Sequence, residues 1–161
     1  MKHTLSVLVE NKPGVLTRIS GLFARRGFNI DGLAVGETHD PKISRMTISV
    51  DGKDQPIEQV TKQLHKLVNV IKISDLEESS SVERELVLIK VSADKQTRPE
   101  IMQIVEVFRS KIVDVSGTTM MIEVTGAQDK VDAMLRLLQP FGTVELVRTG
   151  MVAMARGKQV T

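Results

Sequence analysis

Three histidines, no cysteine, no tryptophan and no tyrosine leave this chain few groups able to do chemistry. His3, His39 and His65 fall on a strand start, a loop and a helix. None has a second histidine or a carboxylate at ligand spacing, so each reads as a solvated or capping side chain. Without a thiol there is no disulfide, thiolate metal site, iron–sulfur cluster or cysteine nucleophile. No nucleophile elbow or paired-carboxylate motif occurs. Gly157-Lys158 begins like a phosphate loop. The earlier glycine of that motif is replaced by Val152, and Gln159 follows where Ser or Thr is needed. The sequence predicts no catalytic residue and no metal ligand.

The segment that could hold a ligand is Glu10-Asn11-Lys12-Pro13-Gly14-Val15-Leu16. It joins an alternating apolar strand to a helix. At a helix start the unpaired N–H groups and the positive dipole end face outward and suit a carboxylate. Gly14 lets backbone approach a ligand with no Cβ between them. The Asn11 amide both donates and accepts, so it suits either the carboxylate or the ammonium of an amino acid. Asn29, inside the apolar run Phe28, Ile30 and Leu33, is expected to be buried and to want a partner. The same residues also suit a plainer role, with Asn11 and Gly14 as cap and turn and Asn29 paired to backbone.

Periodicity supplies the elements that position this loop. Leu5, Val7 and Val9 alternate with Ser6, Leu8 and Glu10 as a first strand. Pro13-Gly14 then opens a helix with Val15, Leu16, Ile19, Leu22 and Phe23 on one face. Arg25 and Arg26 suit its C-terminal end, and Gly27 stops it. Phe28–Gly36 and Met46–Val50 read as strands. Pro56 starts a helix with Ile57, Val60, Leu64, Leu67 and Val68 inward, and Val70–Leu76 is a strand. Glu77 to Glu85, with four glutamates, three serines and one arginine, breaks the pattern as a solvated linker.

The second half repeats the order. Leu86–Val91 is a strand, and Thr97 with Glu100 predicts a capping box. Ile101, Ile104, Val105 and Phe108 form the inner face of the helix that follows. Ile112–Val115 and Met120–Val124 are strands around Ser116-Gly117. Gln128–Gln139 is a helix, Thr143–Val147 a strand, and Gly150–Thr161 a basic tail without a period, expected to be disordered in the free protein unless it docks.

The predicted fold is α+β: two ferredoxin-like βαββαβ domains in tandem, over residues 1–78 and 85–161, with a linker at 79–84. Each sheet would carry helices on one face and leave the other bare, which favours a dimer or larger assembly. Aromatic residues are 2% of the 161, too few for the stacking surfaces of RNA-recognition modules that share this strand order. Formal net charge is only +2, which is no nucleic-acid footprint. The start shows no signal peptide and no stretch approaches a membrane span, so a cytoplasmic protein is expected.

The run ENKPGVLTRISGLFARRGFNI strongly resembles the ACT domain, a small-molecule-sensing βαββαβ module. SRMT at Ser44–Thr47, QLHKLVNVIKISDL at Gln63–Leu76 and VERELVLIKV at Val82–Val91 extend the likeness. So do FRSKIVDV at Phe108–Val115 and ARG at Ala155–Gly157. Across nearly the whole chain the pattern resembles the family of small regulatory subunits of acetolactate synthase (acetohydroxyacid synthase). The resemblance implies no catalysis and no cofactor on this chain. It implies a catalytic large subunit as partner, bearing thiamine diphosphate, magnesium and FAD. That enzyme condenses pyruvate with pyruvate or 2-oxobutyrate at the head of valine, leucine and isoleucine synthesis. The small subunit would activate it and confer feedback inhibition by valine. The resemblance further implies a homodimer through ACT domains set side by side. Valine would lie between the first helix start of one subunit, at Asn11, Lys12, Pro13, Gly14, Val15 and Leu16, and the second strand of the other, at Asn29 and Ile30. Two rivals predict differently: a structural activator with a vestigial effector site, and a stand-alone ACT-domain amino-acid sensor.

Overall fold

The two-residue period of Lys2–Glu10, β1, turns Leu5, Val7 and Val9 to one buried side and Ser6 and Leu8 to the other. The computed structural model describes residues 2–52, 56–77 and 80–161. These divide into two units. One is Met1–Glu83 together with Met151–Thr161, and the other is Arg84–Gly150.

In the first unit β1 is followed by α1 (Val15–Arg25), β2 (Ile30–Glu37), β3 (Ile43–Asp51), α2 (Ile57–His65) and β4 (Val70–Leu76). The strands lie antiparallel in the order β2-β3-β1-β4. α1 buries Val15, Ile19, Leu22 and Phe23, a stripe at helical spacing. Phe23 meets Phe28 edge-on, with ring centroids 6.3 Å apart, and so fixes the end of α1 to the approach of β2. α2 contributes Val60 and Leu64 to the same core. It ends at His65, so Val68, expected inward, lies beyond the helix and is exposed.

The second unit contains β5 (Ser81–Ser92, whose first residues lie in the first unit), α3 (Arg98–Val107), β6 (Lys111–Val115), β7 (Thr119–Gly126), α4 (Gln128–Leu138) and β8 (Thr143–Arg148). A 3-10 turn, Gln139–Phe141, links α4 to β8. Strand order is β6-β7-β5-β8, the same arrangement. Its core is Val87, Ile89, Val91, Ile101, Met120, Ile122, Met134 and their neighbours. Arg148 pins β8 to its surroundings. One guanidinium nitrogen lies 2.7 Å from the buried carboxylate of Glu85 and the other 3.4 Å from Asp132 on α4.

Several expectations are corrected. Ser79 of the expected linker lies outside the described residues, but Ser81–Arg84 are not a solvated linker. They belong to β5, and Ser81 is buried. The basic tail is neither disordered nor part of the second half. Val152–Ala155 forms β9, which pairs with β5, and Met151–Thr161 packs with the first unit. The outer face of the first sheet is therefore not bare, since Ser6 and Thr47 there are buried. The capping box does not form either. Thr97 precedes α3, but no side chain caps that helix from its N-cap position. Among the described residues no helix is long and apolar enough to cross a membrane.

Candidate functional site

β1 delivers the chain to an exposed loop, Asn11–Gly14, at one end of the first sheet. Backbone bonds hold its base. The Glu10 N–H donates to Asn69 O at 2.9 Å and the Asn11 N–H to Lys42 O at 2.8 Å. The Lys12 ammonium folds back onto the Glu10 carboxylate, and this contact holds the Glu10 carboxyl below the ordinary carboxylate range. The Asn11 amide donates to Pro41 O at 2.9 Å and to the Glu37 carboxylate at 3.3 Å. It thereby ties the loop to the end of β2 and the β2–β3 turn.

Gly14 stands immediately before α1 with φ 84°. A Cβ there would meet nothing within 4 Å, so glycine is required by the left-handed backbone and not by crowding. No side chain caps α1. At the head of that helix the Val15 N–H turns back to the Lys12 carbonyl at 3.5 Å, and no side chain closes the helix start. Pro13 lies in the loop, outside the helix it was expected to open. Val15, expected to face a ligand, is instead sunk in the core at 4% exposure. Leu16, 43% exposed, is the apolar side chain that the helix start presents outward.

Asn29 and Ile30 lie elsewhere. Asn29 is exposed, not buried, and its amide donates to the Asp31 carboxylate at 2.9 Å. Ile30 begins β2 and packs partly on the core. The register places Ile30 opposite Val50, which faces His3 at the start of β1. Glu37, at the other end of β2, faces Ser44, which faces Val9. Within one chain the two groups of candidate residues thus stand at opposite ends of the sheet, roughly 24 Å apart at ~3.4 Å per strand residue. One chain assembles Asn11, Lys12, Pro13, Gly14 and Leu16, with Glu37 and the Pro41 carbonyl beside them, and does not bring Asn29 and Ile30 to them. The acceptors for Asn11 come from a turn distant in sequence and carry no local signal.

The second unit offers a contrast at the same topological place, the β5–α3 junction. There Asp94 turns its carboxylate onto the N–H groups of Gln96 (2.8 Å) and Thr97 (2.9 Å), while the Thr97 hydroxyl accepts from the Asp94 N–H at 2.9 Å. These bonds lower the Asp94 carboxyl below its ordinary value. That junction is filled by its own carboxylate, whereas no side chain caps the first.

The chemistry on hand is reversible ion and hydrogen-bond capture. His3 is paired with Asp75 at 3.0 Å. Among the described residues no group of three or more His, Cys, Asp or Glu is placed to hold a metal.

Comparison with known proteins places this geometry. Residues 5–72 match the AHAS small subunit-like ACT domain, and residues 84–157 match the small subunit of acetolactate synthase. The acetolactate synthase small subunit of Mycolicibacterium smegmatis is 57% identical over 155 residues, covering 96% of this chain and 91% of that one. The probable acetolactate synthase small subunit of Archaeoglobus fulgidus is 57% identical over 159 residues, covering 99% of each. The crystal structure of the Thermotoga maritima small subunit is similar with a TM-score of 0.88 at 48% identity, covering 99% of both chains. The chain belongs to the family of acetolactate synthase small subunits, the regulatory and not the catalytic partner of that enzyme.

Proposed function

We propose that this chain activates the thiamine-diphosphate-dependent large subunit in the cytoplasm and confers feedback inhibition by valine, which it binds between two copies of its first unit. The supporting observation is the separation of the candidate residues along β2. β2 is an edge strand, with β3 its one neighbour in the sheet among the described residues. If two copies pair antiparallel along β2 about a two-fold axis, the start of one β2 meets the end of the other. Asn29 and Ile30 of one copy then stand beside Glu37 of the second, and so beside Asn11. The open helix start and Asn11 suit the valine carboxylate. Asn29 suits either end of the zwitterion, and Leu16 and Ile30 suit the isopropyl group. Cofactors remain on the large subunit. Valine changes regulation only by binding the inhibited assembly better than the active one.

Thermal melting and calorimetry with valine, isoleucine and leucine test the reading. Valine at about 100 times its dissociation constant stabilises by ~2.7 kcal/mol, or roughly 5–10 °C for a chain of this size. Flat curves with all three amino acids refute the sensor. A pull-down and activity assay with the large subunit, with and without valine, separates the rivals, since a structural activator raises activity with no amino-acid response.

A further inference from the structure

The outer face of the first sheet has a definite composition. One row across β3, β1 and β4 is Thr47–Ser6–Ser74, and the next is Arg45–Leu8–Lys72. Two cations therefore flank a leucine beside a row of hydroxyls. Ser6 and Thr47 are almost fully buried, although they point away from both helices.

The segment that follows Gly150 lies over this face, beside the start of β5, whose Glu83 carboxylate accepts from the Thr4 hydroxyl at 3.1 Å. Gly150 (φ 83°) and Gly157 (φ 72°) bend the chain on either side of β9. β9 pairs with β5, and the Arg156 N–H donates to Ser80 O at 2.8 Å. The Arg156 guanidinium reaches Ser81 O at 3.1 Å. Beyond Gly157 the hold passes to the sheet. Lys72 donates to the Val160 carbonyl. One Arg45 nitrogen donates both to the Ser6 hydroxyl at 2.7 Å and to the Thr161 hydroxyl at 3.0 Å. Little of the segment is held through its own apolar side chains. Met151, Ala153 and Thr161 are buried, while Val152, Met154 and Val160 are exposed.

We propose that residues 151–161 form a detachable strap and that the outer face of β1, β3 and β4 is its seat, a surface that takes an extended segment of this chain. The seat recognises backbone and hydroxyl more than side-chain shape. Lys72 reads a carbonyl, Arg45 reads a hydroxyl, and the small Ser6 and Thr47 side chains leave room for a chain lying close to the sheet. A segment held by one four-residue strand pairing, two buried apolar side chains and a few hydrogen bonds opens more readily than the fully packed strands beneath it. This inference does not depend on valine or on pairing along β2.

The absence of native cysteine allows a direct test by thiol reactivity in the full chain. Ala153→Cys, facing inward, is expected to react with a soluble disulfide reagent at least about tenfold more slowly than Val152→Cys, facing outward. Adding Arg45→Met and Lys72→Met is expected to raise the Ala153→Cys rate about tenfold, the loss of charge-assisted hydrogen bonds, with the circular dichroism unchanged. In a second arm the chain is cut after Gly150 and a synthetic peptide of residues 151–161 is added. The peptide is expected to bind the shortened chain, to ignore the full chain, and to weaken at least about tenfold with Arg45→Met. Equal reactivity of the two cysteines shows that the strap is not seated and overturns the proposal. So does a rate indifferent to loss of Arg45 and Lys72, or a folded shortened chain that fails to take the peptide. Should the shortened chain not fold, the thiol rates decide alone.

Discussion

Single residues set the chemistry of the two strand–helix junctions, and they do so in opposite ways. Gly14 adopts a backbone that other residues enter at a cost of roughly 1–2 kcal/mol, with open space where a side chain would stand. Gly14→Asp is expected to leave the fold intact and to abolish the thermal shift by valine, because it brings a carboxylate to the place proposed for the ligand's own. Asn29→His is expected to do the same from the other half of the site. A full valine shift in both variants would remove these residues from the site. Asp94 makes a different prediction. Its carboxyl is lowered by the N–H groups of Thr97 and Gln96, so the stabilisation is present above the unfolded-state value. It is lost as pH falls through the folded-state value. Asp94→Ala should therefore melt below the parent chain at pH 7 and converge on it in acid, as read by circular dichroism across that range. Sequence disclosed Asn11 and Gly14 because strand, turn and helix signals bracket them. It misplaced Asn29, since an apolar run does not say where a strand begins, and it missed Glu37 and Pro41, which reach Asn11 only through the sheet. Asp94 pre-empted the expected Thr97–Glu100 box. The spacing Asp94-x-x-Thr97 was the sign of it, an aspartate folding onto the N–H groups ahead of a helix.

At the scale of elements, β2 carries the proposed pairing. Val35 is 47% exposed on this edge strand. Natural proteins blunt such edges with lysine. Val35→Lys should shift the chain toward monomer in sedimentation velocity and remove the valine response together. Loss of neither would place the dimer contact elsewhere. The βαββαβ order of both halves was readable from apolar pattern, because the core strands show as alternations or short apolar runs and each helix keeps an apolar stripe. Element ends were less readable. α2 ends at His65, before Leu67 and Val68, although both residues fit the helical spacing. β9, only four residues long, is too short to display an alternation, and its surroundings in sequence are glycine and basic residues. It exists because β5 lends it a partner strand, which no local pattern records.

For the whole molecule, family membership settles the class of partner, and the chain's near-neutral charge leaves steering by a strong field aside. Mixing with the large subunit is expected to raise its activity, and valine is expected to lower that raised activity. The Asn29→His variant should still activate while ignoring valine. Activation lost along with the valine response would mean the two depend on one surface. The strap has a further consequence, in the order of synthesis. The seat is made from the first strands to leave the ribosome, whereas its strap follows the whole of Arg84–Gly150. At ~5–20 residues per second the interval is roughly 3–15 s. During those seconds the first unit lacks β9 and the rest of the strap, and the part of its outer face that they cover stands open. On a crowded polysome a strap that has opened on a completed neighbour can reach that face before the nascent chain's own is made, so exchange of straps between copies is expected to rise with crowding along the message.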